Sequence, residues 1–592
     1  MEERIVKNTF QKFFLPTLTA SITLSVISMT DLIIAGWFVG EDALTSISLA
    51  LPVIIFVQII AASFGTGGAI ALSAKLGEGD LPQCSRIFTV SILSAGAIGV
   101  VVCVLGTIFL EPIILLCGGS PGAVMAGAKD YIGTLFLGMP FMILSPVMTT
   151  YLRNDNEQKY SMLCVMTCGL FNIIFSAVFA AVLHFGIAGI AWATVLSQIL
   201  SCILAGRKLF RGRRMFHLVK VRPSRSLYFS ILKPGLPVAS IFLSQVILTV
   251  VINRILMTEA ASQGVAVYAV IKYLINFMYA LFDGVTGSIQ PMLGIYYGER
   301  EQQNILYTVR CSLTTMAAIA LGMFLLMEIG GKPLCRLFGV ASGTLTELTV
   351  SAMHMEAICC LTAGIITYIN AFYRCTGNEK ISFLLSIGDN LVFPISSLLL
   401  LTRVFSLGIN GVWWGLVLGG FCTIICWLAY CLCKRKGFLL LDQTQFTRPE
   451  DEYHIIYPAT NEQLKTLLAG VEGYCFEQKI PLKKEYYITL SIEELVVNVV
   501  GLANEDSSRN KKEYYVDIRI SPHQDGGIGL RIRDNLTEFN PGDLSTDDMK
   551  SLALKTDSSA VNELGIGLVK KIAKDYNYKR TIGFNNFSVT LP

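Results

Sequence analysis

The sequence predicts an all-α polytopic membrane body of twelve helices in two six-helix, pseudo-symmetric lobes, followed by a C-terminal α+β sandwich domain. Three observations predict this fold class. The 592 residues are 53% hydrophobic and 15% charged, with a mean hydropathy of +0.58, whereas soluble domains carry about 25% charged residues. Charged residues crowd into the last part of the chain, after residue 436. Within the apolar part, several short motifs recur at a constant separation.

Apolar runs separated by polar breaks predict the twelve spans. About 20 helical residues cross the hydrocarbon core of a bilayer, and each run has room for such a crossing. The predicted spans are 13–39, 46–73, 88–111, 130–152, 160–184, 187–206, 232–257, 264–293, 310–329, 350–373, 382–403 and 409–433. An even number of spans places both termini on the same side of the membrane.

Basic residues predict which side that is. The segment between the sixth and seventh spans is rich in lysine and arginine, whereas the breaks after the first, fifth and seventh spans contain none. By the positive-inside rule the basic side is cytoplasmic, so we expect a multi-pass protein of the plasma membrane with both termini in the cytoplasm. The predicted domains are an N-terminal lobe 1–206, a basic loop 207–231, a C-terminal lobe 232–437, a linker 438–452 and a cytoplasmic domain 453–592.

An internal repeat relates the two lobes. Pro16 in FFLPTLTASI and Pro237 in PGLPVASIFL lie 221 residues apart, and Gly77 in LGEGD and Gly298 in YGERE lie 221 residues apart as well. LRNDNEQK and YRCTGNEK share this separation. Because each half has an even number of spans, the repeat is parallel, about an axis along the membrane normal. Two such bundles would enclose a cleft, and rocking of one against the other would provide alternating access.

One carboxylate, Asp31, lies within the first predicted span. Placing an aspartate at the centre of a spanning helix costs roughly 2.5–3.5 kcal/mol, so such a residue indicates an ion or proton site. The structural alternative is that Asp31 lies near the helix exit and is wetted or hydrogen-bonded there. The repeat places Ile252 at the equivalent position, so the two lobes differ chemically.

These motifs, together with the pattern LP…D…G.FVG.DAL in the first span and SIQPMLGIYYG at 288–298, resemble the multidrug and toxin extrusion (MATE) transporters over about residues 8–435. The resemblance implies a V-shaped pair of six-helix lobes. It also implies export of organic, often cationic, compounds against an inward flow of protons or sodium.

The resemblance implies a coupling site as well. Asp31 matches the acid in the family's first helix, and Asn172 in FNIIFSAVF and Thr194 in AWATVLSQ match its partners on the fifth and sixth helices. The family's second acid, four residues after the asparagine, is Ser176 here. A desolvated aspartate can take up a proton near neutral pH, and the three side chains could instead form an oxygen cage for a cation. The residues leave H⁺ and Na⁺ open as coupling ions.

A second polar group lies in the eighth predicted span, where Lys272, Asn276 and Asp283 share a helix face. A buried lysine within reach of an acid would be charge-compensated. These residues therefore predict either a structural pair or a functional polar site, and the sequence favours neither. Asp389 and Asn390 in the eleventh span present the same choice.

Other classes of protein are disfavoured. The net charge of +4 is too small to indicate nucleic-acid binding. The sixteen cysteines lie singly in apolar runs or in pairs without zinc-site spacing. The absence of a GxxxxGK[ST] loop argues against a primary ATP-driven pump.

From residue 453 the pattern becomes strand, helix, helix, two strands, polar loop, helix and two strands. YYVDIRIS and GIGLRIRD are predicted strands, and the predicted helices are 461–478, 482–503 and 564–576. This order predicts an α+β sandwich that is too charged to cross a membrane.

Three stretches of this domain carry candidate chemistry. SIEELVVNVV places Glu494 and Asn498 four residues apart on one helix face, where an acid and an amide oxygen can share a Mg²⁺-bound phosphate group. Asp534 ends a predicted strand in IRIRDNLTEFNP. Gly565 and Gly567 open a predicted helix in ELGIGLVKKIA, where free amides and the helix dipole accept phosphate.

In this order and at this spacing, the three stretches resemble the N, G1 and G2 boxes of the GHKL ATP-binding fold, most like the anti-sigma-factor serine kinases, over about 453–592. The resemblance implies Glu494 as general base, Asn498 as Mg²⁺ ligand and Asp534 as adenine contact. It implies Gly565 and Gly567 as the hinge of a lid at about 542–563.

The boxes depart from the family pattern at three positions. Leu502 replaces a histidine, Leu536 replaces the G1 glycine, and Glu563 replaces the first G2 glycine. A bulky Leu536 beside the adenine and an anionic Glu563 near the phosphates both argue against tight ATP binding. ATP and Mg²⁺ are therefore candidate cofactors of this domain alone, and transport is expected to need none.

Together these features predict a secondary active antiporter that exports organic, mainly cationic, compounds in exchange for H⁺ or Na⁺, with a regulatory ATP-binding-like domain in the cytoplasm. The expected partners are a small organic substrate, the lipid bilayer and a cytoplasmic regulatory protein, with no nucleic acid. The competing hypothesis is a membrane-anchored sensor whose C-terminal domain binds or phosphorylates a regulatory partner. Glu494 would be catalytic only if that domain is an active ATPase or kinase.

Overall fold

The computed structural model describes residues 2–38, 41–116, 123–211, 215–222, 224–337, 344–434, 452–505, 514–522, 527–536 and 567–592. Two units, Glu2–Asp442 and Gln443–Pro592, each make most of their contacts internally. The first unit is helical, and the second combines helices with one sheet. This division agrees with the predicted fold class.

The helices of the first half of the membrane body are α1 Glu2–Phe38, α2 Glu41–Ala61, α3 Gly67–Glu78, α4 Leu81–Ile108, α5 Leu110–Leu116, α6 Ala123–Asn154, α7 Gln158–Ala177 and α8 Gly186–Phe210. A π-helical turn, Ala62–Thr66, joins α2 to α3. Gly79 ends α3 with a φ of 86°, which favours glycine. The carboxylate of Asp80 then caps α4 by accepting from the Gln83 backbone amide at 3.0 Å.

The helices of the second half are α9 Arg225–Gly298, α10 Gln302–Ile329, α11 Gly331–Leu337, α12 Thr344–Cys375, α13 Glu379–Ile387, α14 Phe393–Leu399 and α15 Gly408–Lys434. The π-helical turn Gly388–Val392 joins α13 to α14, and a second one, Leu400–Val404, follows α14. The Ser224 hydroxyl caps α9 by accepting from the Leu227 amide at 3.2 Å.

Helix α9 supplies two crossings. Its 74 residues would extend about 110 Å if straight, but Gly235 near its start and Gly298 at its end both contact the short α3 region. The chain therefore reverses within this element. The prediction of two separate crossings is consistent with this reversal. The prediction of a non-helical break between residues 257 and 264 is wrong, because the backbone there is helical.

Eleven helical stretches among the described residues are long and apolar enough to cross a membrane. They overlap all the predicted spans except the eighth, 264–293, which forms the second half of α9; the first stretch, Glu3–Ile27, begins and ends earlier than the predicted span 13–39. The membrane body predicted from the apolar runs is thus present as helices.

The contact between the two halves reproduces the predicted repeat. A Cβ atom added to Gly77 on α3 would lie 2.9 Å from the Cα atom of Gly298 on α9, and one added to Gly298 would overlap the carbonyl oxygen of Ala74. Gly294 abuts Ser73 in the same way. In both pairs, the two residues that touch are 221 positions apart. This is expected if a two-fold axis that relates the two halves passes through the contact. Small residues four apart on both helices let the backbones approach closely.

The segment between α8 and α9 is shorter than the predicted loop 207–231, because α8 continues to Phe210 and α9 begins at Arg225. The Met215 amide donates to the Asp155 carboxylate at 3.4 Å, and the Val219 amide donates to the Thr89 hydroxyl at 3.0 Å. The segment thus packs on the end of the first half where α6 ends. We call this end of the membrane body the basic side.

In the second unit, the strands are β1 Tyr453–Pro458, β2 Tyr515–Pro522, β3 Ile528–Asp534, β4 Asp575–Thr581 and β5 Phe584–Leu591. They form one antiparallel sheet in the order β1-β2-β3-β5-β4. Helices α16 Asn461–Glu477 and α17 Leu482–Glu505 share a buried core with one face of the sheet, to which alternate residues such as Ile518 and Ile520 contribute.

The predicted order of elements in this unit is present, but its last helix ends earlier than predicted. Helical backbone is described at 567–572, and β4 begins at Asp575, inside the predicted helix 564–576. The seven residues of β4 pair with β5, so tertiary pairing overrides the local pattern.

Candidate functional site

Two residues implied as partners of Asp31 contact each other. The side-chain nitrogen of Asn172 on α7 donates to the Thr194 hydroxyl oxygen on α8 at 3.2 Å, and that hydroxyl donates to the Ile190 carbonyl oxygen at 3.2 Å. Asn172 is 1% exposed, and its side-chain oxygen has no hydrogen-bond partner among the described residues. Leaving a buried acceptor unpaired is costly. This oxygen is therefore suited to accept a hydrogen bond from a protonated group or to coordinate a cation.

Helix α1 packs along α7 at the level of this pair. A Cβ atom on Gly169 would lie 2.7 Å from Ile27 Cδ1 and 2.8 Å from Thr23 Cγ2. The first and fifth spans run in the same direction, so the next turn of α7 carries Asn172 and the next turn of α1 carries Asp31. The backbone of Asp31 is part of α1, and its side chain lies outside the described part of the chain.

Asp283 on α9 stands near two arginines that the repeat relates. Its side chain is exposed, yet it lies within electrostatic range of Arg374 on α12 and Arg153 on α6. The guanidinium of Arg153 lies against Gly287, one turn from Asp283, where a Cβ atom would be 2.9 Å from Arg153 Nη1. Since α6 belongs to the first half and Asp283 to the second, Asp283 faces the space between the halves.

Lys272 is not the partner of Asp283. The two residues are 11 positions apart on α9, about 16 Å along the helix axis, which is beyond direct contact. The cationic groups near Asp283 are the two arginines. Asn276 is exposed on the same helix face as Asp283. The structural Lys–Asp pair is therefore wrong, while a polar site in the cleft stays a prediction.

The acid and the amide predicted on α17 lie one turn apart. Glu494 is half-buried, and burial and the neighbouring Glu493 raise its pKa, which moves a carboxylate towards the range of a general base. The Asn498 side-chain nitrogen donates to the Glu494 carbonyl oxygen at 2.7 Å. The side-chain oxygen of Asn498 is then the atom suited to a hard cation such as Mg²⁺.

Asp534 lies at the end of β3 and is 7% exposed. Its Oδ1 atom accepts from the Leu536 amide at 2.9 Å and from Asn585 Nδ2 at 2.8 Å. Burial raises the pKa of Asp534 to about 6, against the opposing effect of these hydrogen bonds and of Arg580. Oδ2 has no hydrogen bond among the described residues, so it is open to an amino group of a ligand.

Leu536 occupies space beside that carboxylate. It is buried in the core of the domain together with Val569 and Ile532, where a glycine would leave a gap. Gly567 begins the helical stretch 567–572. Gly565, Glu563 and the predicted lid 542–563 lie outside the described residues, as does the side chain of Leu502.

Comparison with known proteins identifies both parts. The MatE family model matches residues 16–178 and 237–397, two copies whose first residues are again 221 positions apart. The chain belongs to the MATE family. A second family model, that of the histidine kinase-like ATPase domain, matches residues 457–590. A GHKL-type domain therefore follows the MATE body in the sequence.

Curated relatives of this MATE chain include the multidrug export protein MepA of Staphylococcus haemolyticus, 22% identical over 461 residues, which cover 76% of this chain and 98% of the relative. The probable multidrug resistance protein YoeA of Bacillus subtilis is 23% identical over 414 residues, covering 68% and 88%. Among solved structures, an outward-facing multidrug resistance MATE transporter matches with a TM-score of 0.67 at 21% identity over 72% of this chain and 96% of that chain.

Sequence reasoning missed one carboxylate of the MATE body, Glu356 on α12. It is 2% exposed, and its Oε1 atom has no partner among the described residues. Cys359 is hydrogen-bonded to the same carboxyl group. The sequence does contain a signal for this residue. Glu356 is the one carboxylate in the predicted span 350–373, just as Asp31 is the one carboxylate in the predicted span 13–39.

Glu356 belongs to an acidic group in the second half of the MATE body. Asp389, in the π-helical turn Gly388–Val392, and Asp283 lie with Glu356 within electrostatic range of the Tyr279 hydroxyl. Single π-helical turns often mark functional positions. The second half therefore carries its own intramembrane acids, at positions other than the counterpart of Asp31.

Proposed function

We propose that the MATE body is a secondary active transporter that exports organic, mainly cationic, compounds in exchange for H⁺ or Na⁺. The name of the relative MepA, a multidrug export protein, supports export. The observation that carries the proposal is the buried side-chain oxygen of Asn172, which has no hydrogen-bond partner among the described residues and lies at the level of Asp31. A carboxylate beside an amide oxygen can take up and release a proton or a monovalent cation.

Exchange follows from the charge of Asp31. An ionised carboxylate in a low-dielectric cleft attracts a cationic compound through its field. When a proton or Na⁺ neutralises the carboxylate, that attraction is lost and the compound leaves. Ion and cargo therefore occupy the transporter in alternation, as antiport requires.

The basic side is the cytoplasmic side in this proposal, because lysines and arginines concentrate in the segment 207–231. Both termini and the C-terminal domain are then cytoplasmic, and the protein lies in the plasma membrane. The contact between Gly77 and Gly298 closes this side of the body. Transport requires that the contact open once per cycle.

Gradient-driven export of a fluorescent organic cation from reconstituted vesicles tests this function. With the proton and sodium gradients imposed separately, we expect uphill dye movement with at least one of them and its loss when an ionophore collapses that gradient. Dye movement that continues without either gradient, or that requires added ATP, would contradict secondary active transport.

We propose further that the C-terminal domain binds an adenine nucleotide weakly and regulates the transporter, with a cytoplasmic protein as its partner. The open Oδ2 atom of Asp534 supports recognition of an amino group. Asn498 supplies an oxygen for Mg²⁺, and the ion would neutralise phosphate charge there. Leu536 fills space beside Asp534, which favours weak binding and a regulatory rather than a catalytic role.

Titrating the full-length protein with a fluorescent ATP analogue and Mg²⁺ is expected to show binding that Asp534→Asn weakens about ten- to a hundredfold, since a hydrogen bond to a charged acceptor contributes about 1.5–3 kcal/mol. Because the pKa of Asp534 is about 6, its carboxylate is ionised at neutral pH and gains a proton below that value. Affinity should therefore fall as the pH drops through about 6. Asp575→Asn, at an exposed position of β4, is the matched control. Equal affinity for both variants would remove the role of Asp534.

A further inference from the structure

We propose that the corner between α16 and α17 of the C-terminal domain docks onto anionic lipid headgroups at the bilayer surface. Three large apolar side chains protrude there: Phe476 is 84% exposed, Leu482 is 82% exposed and Tyr486 is 62% exposed. Large apolar side chains grouped at one exposed site mark an interaction surface. Within the described part of this domain, all three lie outside the core that α16 and α17 share with the sheet.

The corner is rigid and protruding. Helix α16 ends at Glu477 and α17 begins at Leu482. The Ile480 amide donates to the Cys475 carbonyl oxygen at 2.9 Å, and the Glu485 amide donates to the Pro481 carbonyl oxygen at 3.0 Å, so backbone hydrogen bonds hold the turn. A tip between two helices presents its side chains outward. It suits insertion into a soft planar layer, whereas a protein partner helix requires a groove.

The composition of the corner fits a headgroup layer. Aromatic and leucine side chains partition into the boundary between headgroups and acyl chains. Lys479 and Lys483 are exposed beside them, and a lysine near an anionic surface strengthens such binding. Across residues 476–486, three lysines stand against two glutamates, so the corner keeps a positive balance.

The bilayer is within reach of every copy of the domain. Helix α15 ends at Lys434 and β1 begins at Tyr453, and the chain between them extends at most about 60 Å. Because the domain and the membrane body belong to one chain, docking is an intramolecular event. Three side chains are then sufficient to hold the domain on the bilayer. A second copy or a soluble partner would have to be bound from solution, which requires a larger contact.

Hydroxyl-radical footprinting of the full-length protein in lipid nanodiscs tests the proposal, because the oxidation of Phe476, Leu482 and Tyr486 reports their exposure directly. We expect several-fold less oxidation at these three residues in nanodiscs containing phosphatidylglycerol than in nanodiscs of phosphatidylcholine alone. Tyr576, which is 42% exposed on β4, should be oxidised equally in both and serves as the internal reference.

The double variant Lys479→Glu/Lys483→Glu is expected to restore oxidation in the anionic nanodiscs. Both lysines are exposed, so the domain should remain folded, which the Tyr576 signal checks. Equal oxidation of the corner in the two lipid compositions would overturn the proposal. Protection that survives the charge reversal would also overturn it, and would indicate that a protein surface covers the corner.

Discussion

Replacing Asp31 by asparagine is expected to reduce gradient-driven export to background and to weaken the binding of a cationic substrate. Asparagine keeps the size of the side chain, but it can neither release a proton nor carry a negative charge. The neighbouring acceptor on Asn172 cannot take over that role, because an amide does not titrate. Dye efflux from vesicles with an imposed gradient measures the loss of export, and equilibrium dye binding measures the lost attraction for the cation. Undiminished uphill export by the variant would remove Asp31 from the coupling mechanism.

An exchange of the two side chains sharpens this test. In the double variant Asp31→Asn/Asn172→Asp, the carboxylate moves from α1 to the adjacent turn of α7, so partial recovery of export is expected if both residues form one site. Asp130→Asn, at an exposed position of α6, is the control for removing an acid elsewhere and should export normally. A double variant as inactive as Asp31→Asn would show that the carboxylate is needed on α1 itself.

Replacing Gly298 by alanine is expected to slow export several-fold or more, because closure of the basic side becomes less favourable. The added methyl group would overlap the carbonyl oxygen of Ala74 and lie 3.0 Å from the Cα atom of Gly77. Both are backbone atoms, so rotation of a side chain cannot relieve the overlap. Overpacking of this kind costs about 1–3 kcal/mol, which shifts the equilibrium between the two states about 5- to 150-fold towards the one open on the basic side.

Access to the cleft measures this shift directly. A cysteine introduced at the exposed position 276 should react faster with a membrane-impermeant thiol reagent added on the basic side when Gly298→Ala is present. Gly322→Ala is the matched control, since no described residue outside its own helical turn lies within 4 Å of an added Cβ there and helix interiors tolerate alanine well. Unchanged labelling and unchanged export in Gly298→Ala would contradict a contact that must open and close.

The membrane body and its two halves could be predicted from the sequence, because the apolar runs and the repeated motifs that indicate them occur many times along the chain. Apolar runs of span length are a direct consequence of bilayer thickness, and the 221-residue separation carried enough matches to predict a two-fold arrangement. That separation also paired Gly77 with Gly298, the two residues that meet at the contact between the halves. What it did not predict was that these two backbones touch, because contact depends on how the halves dock.

The errors occurred where local sequence and tertiary structure disagree. MTEAASQG contains helix-compatible residues and no proline, so polarity alone was a poor reason to predict a break in α9. DYNYKRT follows a helical pattern without a stop signal, and only pairing with β5 makes it a strand. Residue spacing placed Lys272, Asn276 and Asp283 on one face, but it could not show that Arg153 approaches Asp283 from the other half.

Some residues of the candidate sites could be predicted from the sequence and others were missed. Asn172 and Thr194 came from a family likeness, and the structure joins them by a hydrogen bond. Glu356 carried the same signal as Asp31 and was overlooked. In the C-terminal domain the motif residues Glu494, Asn498 and Asp534 lie in the described part of the chain, whereas Gly565 lies outside it. Their roles stay predictions until nucleotide binding is measured.

The meeting of Gly77 and Gly298 has a consequence for how such a duplicated protein can evolve. Each glycine fills the space that a side chain on the other would need, and glycine is already the smallest residue, so a substitution in one copy has no compensating substitution in its twin. Both positions therefore require glycine in this packing, whereas Asp31 and Ile252, which the same repeat relates, are different residues and make the two halves chemically unequal.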